Sequence, residues 1–325
     1  MAMQTYLDQF FHLAEIIARP FLVFLYSDSM LYWPYLLSTL VLAVGIPAIA
    51  ALRSPDQVWE SLRQQFSAKI WWSRSTRADY RYYIVNSFVF GFIFAPLMVA
   101  SIDVAMWVNA QLSSWLGARQ APLLDQTTQR VLYTVMFFVA YDFGRFLAHW
   151  LQHTVPILWK FHIVHHTAEA LTPLTAFRVH PFDLFLMGTG GNFMGGIVTG
   201  IFFYISNGEI SIYTFLGTHL LIAIYNMIGN LRHTHVWLDY GVLGYIFMSP
   251  AQHQIHHSAN PRHFNKNCGF AFAFWDALFG TLYVPKSRET FPLGLGDGTD
   301  AEWHFVGRMY LRPLKLIWQA VAGGR

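Results

Sequence analysis

Long apolar stretches alternate along this chain with shorter polar ones. Residues 31–52, LYWPYLLSTLVLAVGIPAIAAL, carry no charge and suffice as a helix to cross about 30 Å of hydrocarbon. Residues 82–108 form a second such run, with Asp103 near its far end. Residues 131–150, VLYTVMFFVAYDFGRFLAHW, form a third. Two more, 184–206 and 211–229, meet at a turn around Asn207-Gly208, which is hairpin spacing. Glycines at 188, 190, 191, 195, 196 and 200 let helices approach closely there. The N-terminal stretch differs. Asp8, Glu15 and Arg19 interrupt its apolar residues, so 5–27 reads as a helix lying on the membrane surface. It also lacks the basic start and small-residue cleavage site of a signal peptide. The pattern predicts an all-α fold, a polytopic membrane helical bundle of about five transmembrane helices.

Composition agrees with this. The chain is 54% hydrophobic and 12% charged, against about 25% charged in a typical soluble domain. Its aromatic excess fits lipid contact and helix packing. A formal charge of +3 with no basic run excludes a nucleic-acid partner. The single cysteine, Cys268, excludes an internal disulfide and any CxxC metal site. Six basic residues (Arg53, Arg63, Lys69, Arg74, Arg77 and Arg81) crowd 53–81 with Trp71 and Trp72, which assigns that loop to the cytoplasm. Residues 109–130 then lie opposite, and two spans separate the basic loop from the first histidines. The hairpin adds two more, so everything from 230 onward returns to the cytoplasmic side. The expected product is a multi-pass integral membrane protein with a histidine-rich cap facing the cytoplasm.

The chemistry lies in the histidines. Residues 149–166, HWLQHTVPILWKFHIVHH, hold His149 and His153 four apart, then His162, His165 and His166. A second HxxHH follows as His253, His256 and His257. Residues four apart share a helical face, so His149 and His153 can meet one metal. In HxxHH the first two histidines are three apart, and the spacing assigns them to one metal. The third, turned about 100° away, is assigned to another. Eight imidazoles suit a pair of ions. Imidazole accepts iron, zinc, copper or nickel, and ligand type alone does not choose. Asp142, on the same face as His149, is a candidate acceptor for its outer N–H. The alternative is a pair between Asp142 and Arg145 that satisfies only itself. Tyr225, Asn226 and Asn230 flank the end of the last apolar run on the histidine side, either ordering metal-bound water or packing helices. His180, before Pro181, reads as a supporting residue, and His219 as a buried, satisfied one. His12, His263 and His304 read as ordinary surface or interface residues.

These motifs resemble the fatty acid hydroxylase/sterol desaturase superfamily of membrane di-iron enzymes. The resemblance runs from about 136 to 285. It rests on Asp142, HWLQH, FHIVHH, RVHP at 178–181, RHTH at 232–235, SPAQHQIHHS at 249–258 and NCGFAFAFWDALFGTLY at 267–283. It divides the chain into an N-terminal interfacial and anchoring part (1–130), a catalytic part (131–285) and a cytosolic C-terminal tail (286–325). It adds His233 to the metal ligands. It leaves Asn230 either as a contributor, where the family often has a histidine or glutamine a turn earlier, or as a mark of altered coordination. His235 stands where the family commonly has asparagine. The implied cofactor is two iron ions, with zinc as a substitute in purified protein. The implied reaction is O2-dependent hydroxylation or desaturation of a lipid or sterol. GTGGN at 188–192 is not a nucleotide loop, no flavin or nicotinamide fingerprint is present, and HPFD at 180–183 is not a haem-binding HPGG. Electrons must then come from an external donor, of ferredoxin or cytochrome b5 type with a reductase. A metal transporter would need ligands spread along a path through the bilayer, and a zinc hydrolase an HExxH glutamate. The sequence offers neither.

Overall fold

The computed structural model describes residues 2–51 and 55–323, with the side chains of 2–10, 12, 50, 51, 55–58 and 61 left aside. Arg53 and the side chain of His12 therefore lie outside the described residues. The predicted surface helix is α1 (Ala2–Leu22), which ends in a 3-10 turn at Val23–Leu25. It exposes Phe11, Ile17 and Phe21. The first uncharged run is α2 (Trp33–Ala51). Two short helices, α3 (Pro55–Gln65) and α4 (Ala68–Trp71), carry Arg63 and Lys69 of the basic stretch, and Arg74, Arg77 and Arg81 fall on the helix that follows.

The second expected span is a broken rod. It consists of α5 (Arg74–Val89), a π turn at Phe90–Phe94, a 3-10 turn at Ala95–Leu97, and α6 (Ser101–Leu116). Pro96 explains the break, because it lacks an N–H and disfavours helix in the residue before it. Next comes α7 (Gln126–Thr154), whose N-terminus Asp125 caps by accepting from Thr127 N and Thr128 N at 3.0 Å. Its 29 residues make about 43 Å of helix, more than a bilayer core requires. Val155 breaks the helix, and Pro156 starts α8 (Pro156–His166) at the position where proline is best tolerated. The fourth expected span is α9 (Pro181–Ile205).

Glycine locks α6, α7 and α9 together. A Cβ on Gly190 would lie 2.6 Å from the Gly144 carbonyl oxygen, and one on Gly144 would press still closer on Gly190. Gly195 meets Phe137 and Gly191 meets Tyr141, so α7 runs antiparallel to α9. Gly196 and Gly200 meet Ser101 and Ala105 in chain order, so α6 runs parallel to α9.

The fifth expected span, 211–229, is not a continuous helix. Its first half is extended and folds into a small hairpin, β1 (Thr214–Phe215) and β2 (Thr218–His219), turned by Leu216 and Gly217 at positive φ. Only α10 (Leu220–Gly229) is helical, and its ten residues make about 15 Å. The extended half and the residues just before it also bind to α7: Gln129 donates to the Glu209 carbonyl, Arg130 to Ser211 Oγ, and Tyr213 N to Thr134 Oγ1. Among the described residues three stretches are long and apolar enough to cross a membrane, 74–116, 126–154 and 181–205, and Trp33–Ile49 is a shorter apolar helix. The fold is an all-α membrane bundle.

The chain still comes back to the end it left. After a 3-10 turn at Asn230–His233 come α11 (Pro250–His256), α12 (Phe274–Phe279) and α13 (Val306–Ala322). The expected tail folds back: Met309 of α13 and Trp303 join Ala78, Tyr82 and Val164 in a buried cluster between α5 and α8.

Candidate metal centre

The end of α7, all of α8, the turn at 230–233 and α11 converge at one end of the bundle. Their nine histidines form two groups. His149, His153, His162, His166 and His256 make one, and His165, His233, His253 and His257 the other. Within each group the candidate ligand atoms lie within 4.8 Å of one another, and each group could hold a metal ion. All nine side chains are buried.

The grouping differs from the expected one inside each HxxHH. On α8 the first and third histidines, His162 and His166, share a group, and the middle one, His165, crosses to the other. On α11, His253 and His257 share a group, and His256 crosses back. Four residues overshoot a full helical turn by about 40° and three fall short by about 60°. The last two histidines therefore flank the first on opposite sides. Which flank faces which group depends on the partner helix, which spacing along one helix does not contain.

Ring orientation follows from the outer nitrogens. His149 Nδ1 lies 2.7 Å from the Cys268 carbonyl, His162 Nδ1 2.7 Å from Asp183 Oδ2, and His256 Nδ1 2.7 Å from the Lys266 carbonyl. His165 Nδ1 lies 3.3 Å from the Arg178 carbonyl. These acceptors hold the proton on Nδ1 and leave Nε2 as a bare lone pair. Two of these bare nitrogens nevertheless face one another, His149 Nε2 lying 3.0 Å from His162 Nε2, and the bare His165 Nε2 lies 3.4 Å from His233 Nε2. His153 Nε2, His256 Nε2, and Nδ1 of His233 and His257 are buried without any partner. Lone pairs gathered in this way repel one another unless a cation lies between them. Burial keeps the rings neutral: it pushes His165 down to about 3 and His256 to about 4, and lowers His162, His166, His233, His253 and His257 well below the usual range.

The supporting layer departs from expectation. Asp142 does not accept from His149. It accepts from Ala271 N at 2.7 Å, Phe272 N at 3.3 Å and Trp275 Nε1 at 3.0 Å. It shares the face of His149 but sits two turns away, about 10 Å along the axis. It also makes no ion pair with Arg145 among the described residues. Asp276 holds Cys268 N and Gly269 N at 2.8 Å, so two carboxylates fix the loop whose Cys268 carbonyl orients His149. The direct carboxylate partner is Asp183, in the first turn of α9, which accepts from both His162 and Gln152 Nε2, each at 2.7 Å. Spacing did not single out Asp183. A charge inside an apolar run was the available signal.

The remaining candidates bond elsewhere. His180 caps α9, its Nδ1 accepting from Phe182 N at 3.2 Å. Asn226 hydrogen-bonds Tyr35, and Asn230 donates to the Met30 carbonyl at 2.7 Å, tying the end of α10 to the α2 region. His235 Nε2 accepts from Leu171 N at 3.3 Å. None of them hydrogen-bonds to either imidazole group among the described residues. His219 is buried and caps α10. His263 and His304, expected at the surface or an interface, are buried beside Glu289 and Glu169. A cavity of about 440 Å³ reaches His153, His166 and His256 past Trp159, Ile163 and Phe264.

The model of the fatty acid hydroxylase family matches residues 134–281. An ornithine lipid hydroxylase of Rhizobium tropici, OlsE, is 30% identical over 162 residues, 50% of this chain and 45% of that protein. An alkylglycerol monooxygenase of Danio rerio is 28% identical over 197 residues, 56% of this chain and 40% of that one. Its namesake from Homo sapiens is 25% identical over 157 residues, 48% and 32% of the two chains. This chain thus spans less than half the length of these curated relatives. No solved structure matches it. The match begins inside α7, ends just past α12 and encloses both imidazole groups, so it is this part of the chain that is similar to the fatty acid hydroxylase family.

Proposed function

We propose that this protein is a membrane-bound oxygenase that hydroxylates a C–H bond of a lipid with two iron ions, O2 and external electrons. The observation that supports it most is the gathering of nine buried imidazoles in two groups of five and four, with the bare Nε2 atoms of His149 and His162 facing each other. His149, His153, His162, His166 and His256 would hold one ion, and His165, His233, His253 and His257 the other. Bound iron would supply O2 activation and oxidation of an unreactive C–H bond, with hydroxylation and desaturation as alternative outcomes. Zinc, which accepts the same imidazoles, is the expected substitute in purified protein.

The chain's own part is to orient, exclude water and admit substrate. Asp183, the Cys268 carbonyl and the Lys266 carbonyl hold three rings in one tautomer. The 440 Å³ cavity gives a lipid a way to the edge of the first group, and Trp159, Ile163 and Phe264 give it apolar walls. The relatives' names speak of an ornithine lipid and of alkylglycerol, and we take a polar membrane lipid as the substrate class. The electron donor is of ferredoxin or cytochrome b5 type with its reductase, and it reaches the histidine end from the cytoplasm. The basic stretch at 63–81 favours that orientation. Impermeant thiol reagents applied to sealed cells carrying single cysteines at 60 or 260 test it, and labelling without lysis reverses the assignment.

Lipids from cells with and without the protein, grown under 18O2, test the activity. The expected result is one lipid class gaining a single labelled oxygen, with iron near two per chain in the purified protein. Full activity on zinc alone, or one metal per chain, refutes the di-iron reading.

A further inference from the structure

The protein buries arginine in two different ways. Arg178 is fully buried and fully answered. Its guanidinium meets Asp79 Oδ1 at 2.8 Å, Ser75 Oγ at 3.2 Å, Thr167 Oγ1 at 3.0 Å and the Trp303 carbonyl at 3.3 Å. Arg145 has no such company. It sits within the candidate span 126–154, one turn before His149. Its Nε is buried without a partner, and its Nη1 lies 3.5 Å from the Tyr141 hydroxyl, at the limit of a hydrogen bond. Its guanidinium lies 4.2 Å from the centre of the Phe270 ring. Asp142, the nearest carboxylate in sequence, is occupied by three donors.

A second cation shares that ring. Arg232 lies 5.2 Å from the centre of Phe270, donates to the Tyr225 hydroxyl and to the Phe270 carbonyl, and has its Nη2 3.0 Å from His253 Nδ1. Its Nε also lacks a partner. Neither arginine makes an ion pair among the described residues. Two guanidiniums beside one aromatic ring, with Asp142 taken up by its own three donors and no carboxylate in ion-pair contact, leave a charge that burial makes expensive. Tyr141, Arg145, Tyr225 and Phe270 each keep part of their surface open.

We propose that Arg145, with Arg232 behind it, is a binding site for the anionic group, phosphate or carboxylate, of a lipid. The planar fork of Arg145 suits bidentate contact with either anion. Arg145 stands one turn from His149, and Arg232 touches His253, so a lipid anchored there lies beside both imidazole groups. This rests on the lipid-oxygenase reading for its purpose, but binding requires neither iron nor O2.

The test is calorimetric titration of purified, metal-free full-length protein in a neutral detergent. The probes are decyl phosphate, decanoate, decyl maltoside and inorganic phosphate. One of the two anionic amphiphiles should bind about tenfold more tightly than decyl maltoside and than inorganic phosphate, and the tighter one identifies the head group. Arg145→Gln should abolish that preference, and Arg145→Lys should keep part of it. The surface variant Arg308→Gln should keep all of it. Equal binding of charged and neutral amphiphiles to the wild type overturns the proposal without any variant. A preference that survives Arg145→Gln overturns it too, and inorganic phosphate binding as tightly as decyl phosphate overturns the lipid part. Failure here leaves hydroxylation untouched, and an inactive oxygenase that still prefers the anion leaves this site standing.

Discussion

Asp183→Asn separates charge from geometry in the layer behind the histidines. Asp183 is fully buried and accepts two hydrogen bonds, from His162 Nδ1 and from Gln152 Nε2. Asparagine has the same shape. Its oxygen can accept from His162, and its amide can donate to Gln152 once that side chain turns over. Gln152 Oε1 is buried without a partner, so the turned amide costs little. The variant therefore keeps both hydrogen bonds and loses only the negative charge behind His162. Carboxylate partners of ligating histidines are commonly worth 10–100-fold in metal affinity, about 1.4–2.7 kcal/mol. Asp183→Ala also strands two buried donors, each costing about 1–3 kcal/mol of stability. The assay is iron per chain against a competing chelator, with a melting curve alongside. Asp183→Asn should empty the group of five first and leave the group of four loaded, at near wild-type stability. Asp183→Ala should do the same and lower the melting temperature. Unchanged iron affinity in both variants would refute the role given to this carboxylate.

Three further outcomes follow. His165→Ala and His166→Ala, neighbours in sequence, should disturb different ions, visible as loss of different iron signals by Mössbauer spectroscopy; identical spectra would mean that the box acts as one unit. Gly144→Ala should lower stability by about 3 kcal/mol or more, because its methyl group has only the Gly190 backbone to displace, whereas Gly45→Ala, which meets nothing within 4 Å, should be near neutral in the same melts. Burial pushes His180 down to about 4, so the unfolded chain takes up its proton near pH 6.5 and the folded one does not. Its contribution is whole above pH 6.5 and is lost as pH falls toward 4, roughly 3 kcal/mol by then, and His180→Gln should show a correspondingly shallower loss in acid unfolding.

What could be read in advance divides along physical lines. Apolar runs and imidazole spacing are properties of single segments, and they located α2, α7, α9 and eight of the histidines, while His233 came from the family resemblance. The run 211–229 is apolar enough for a span, but hydropathy does not record that Ser211 bonds Arg130 and that the Tyr213 N–H bonds Thr134. Asp142 was placed on the correct face and at the wrong reach, since face is periodic and distance is not. The Cys268 and Lys266 carbonyls, which orient His149 and His256, belong to backbone that every residue carries. Crossing of His165 and His256 needs both helices at once.

That crossing has a consequence for how the centre is assembled during synthesis. Four of the five imidazoles in one group come from the stretch 149–166, whereas three of the four in the other come from 233–257. Between them the ribosome must still deliver α9 and the whole return segment. A nascent chain paused after α8 already carries most of one site and a single member of the other. The group of five is therefore mostly in place first, but both sites are completed together, when residues 253–257 deliver His256 to one and His253 and His257 to the other.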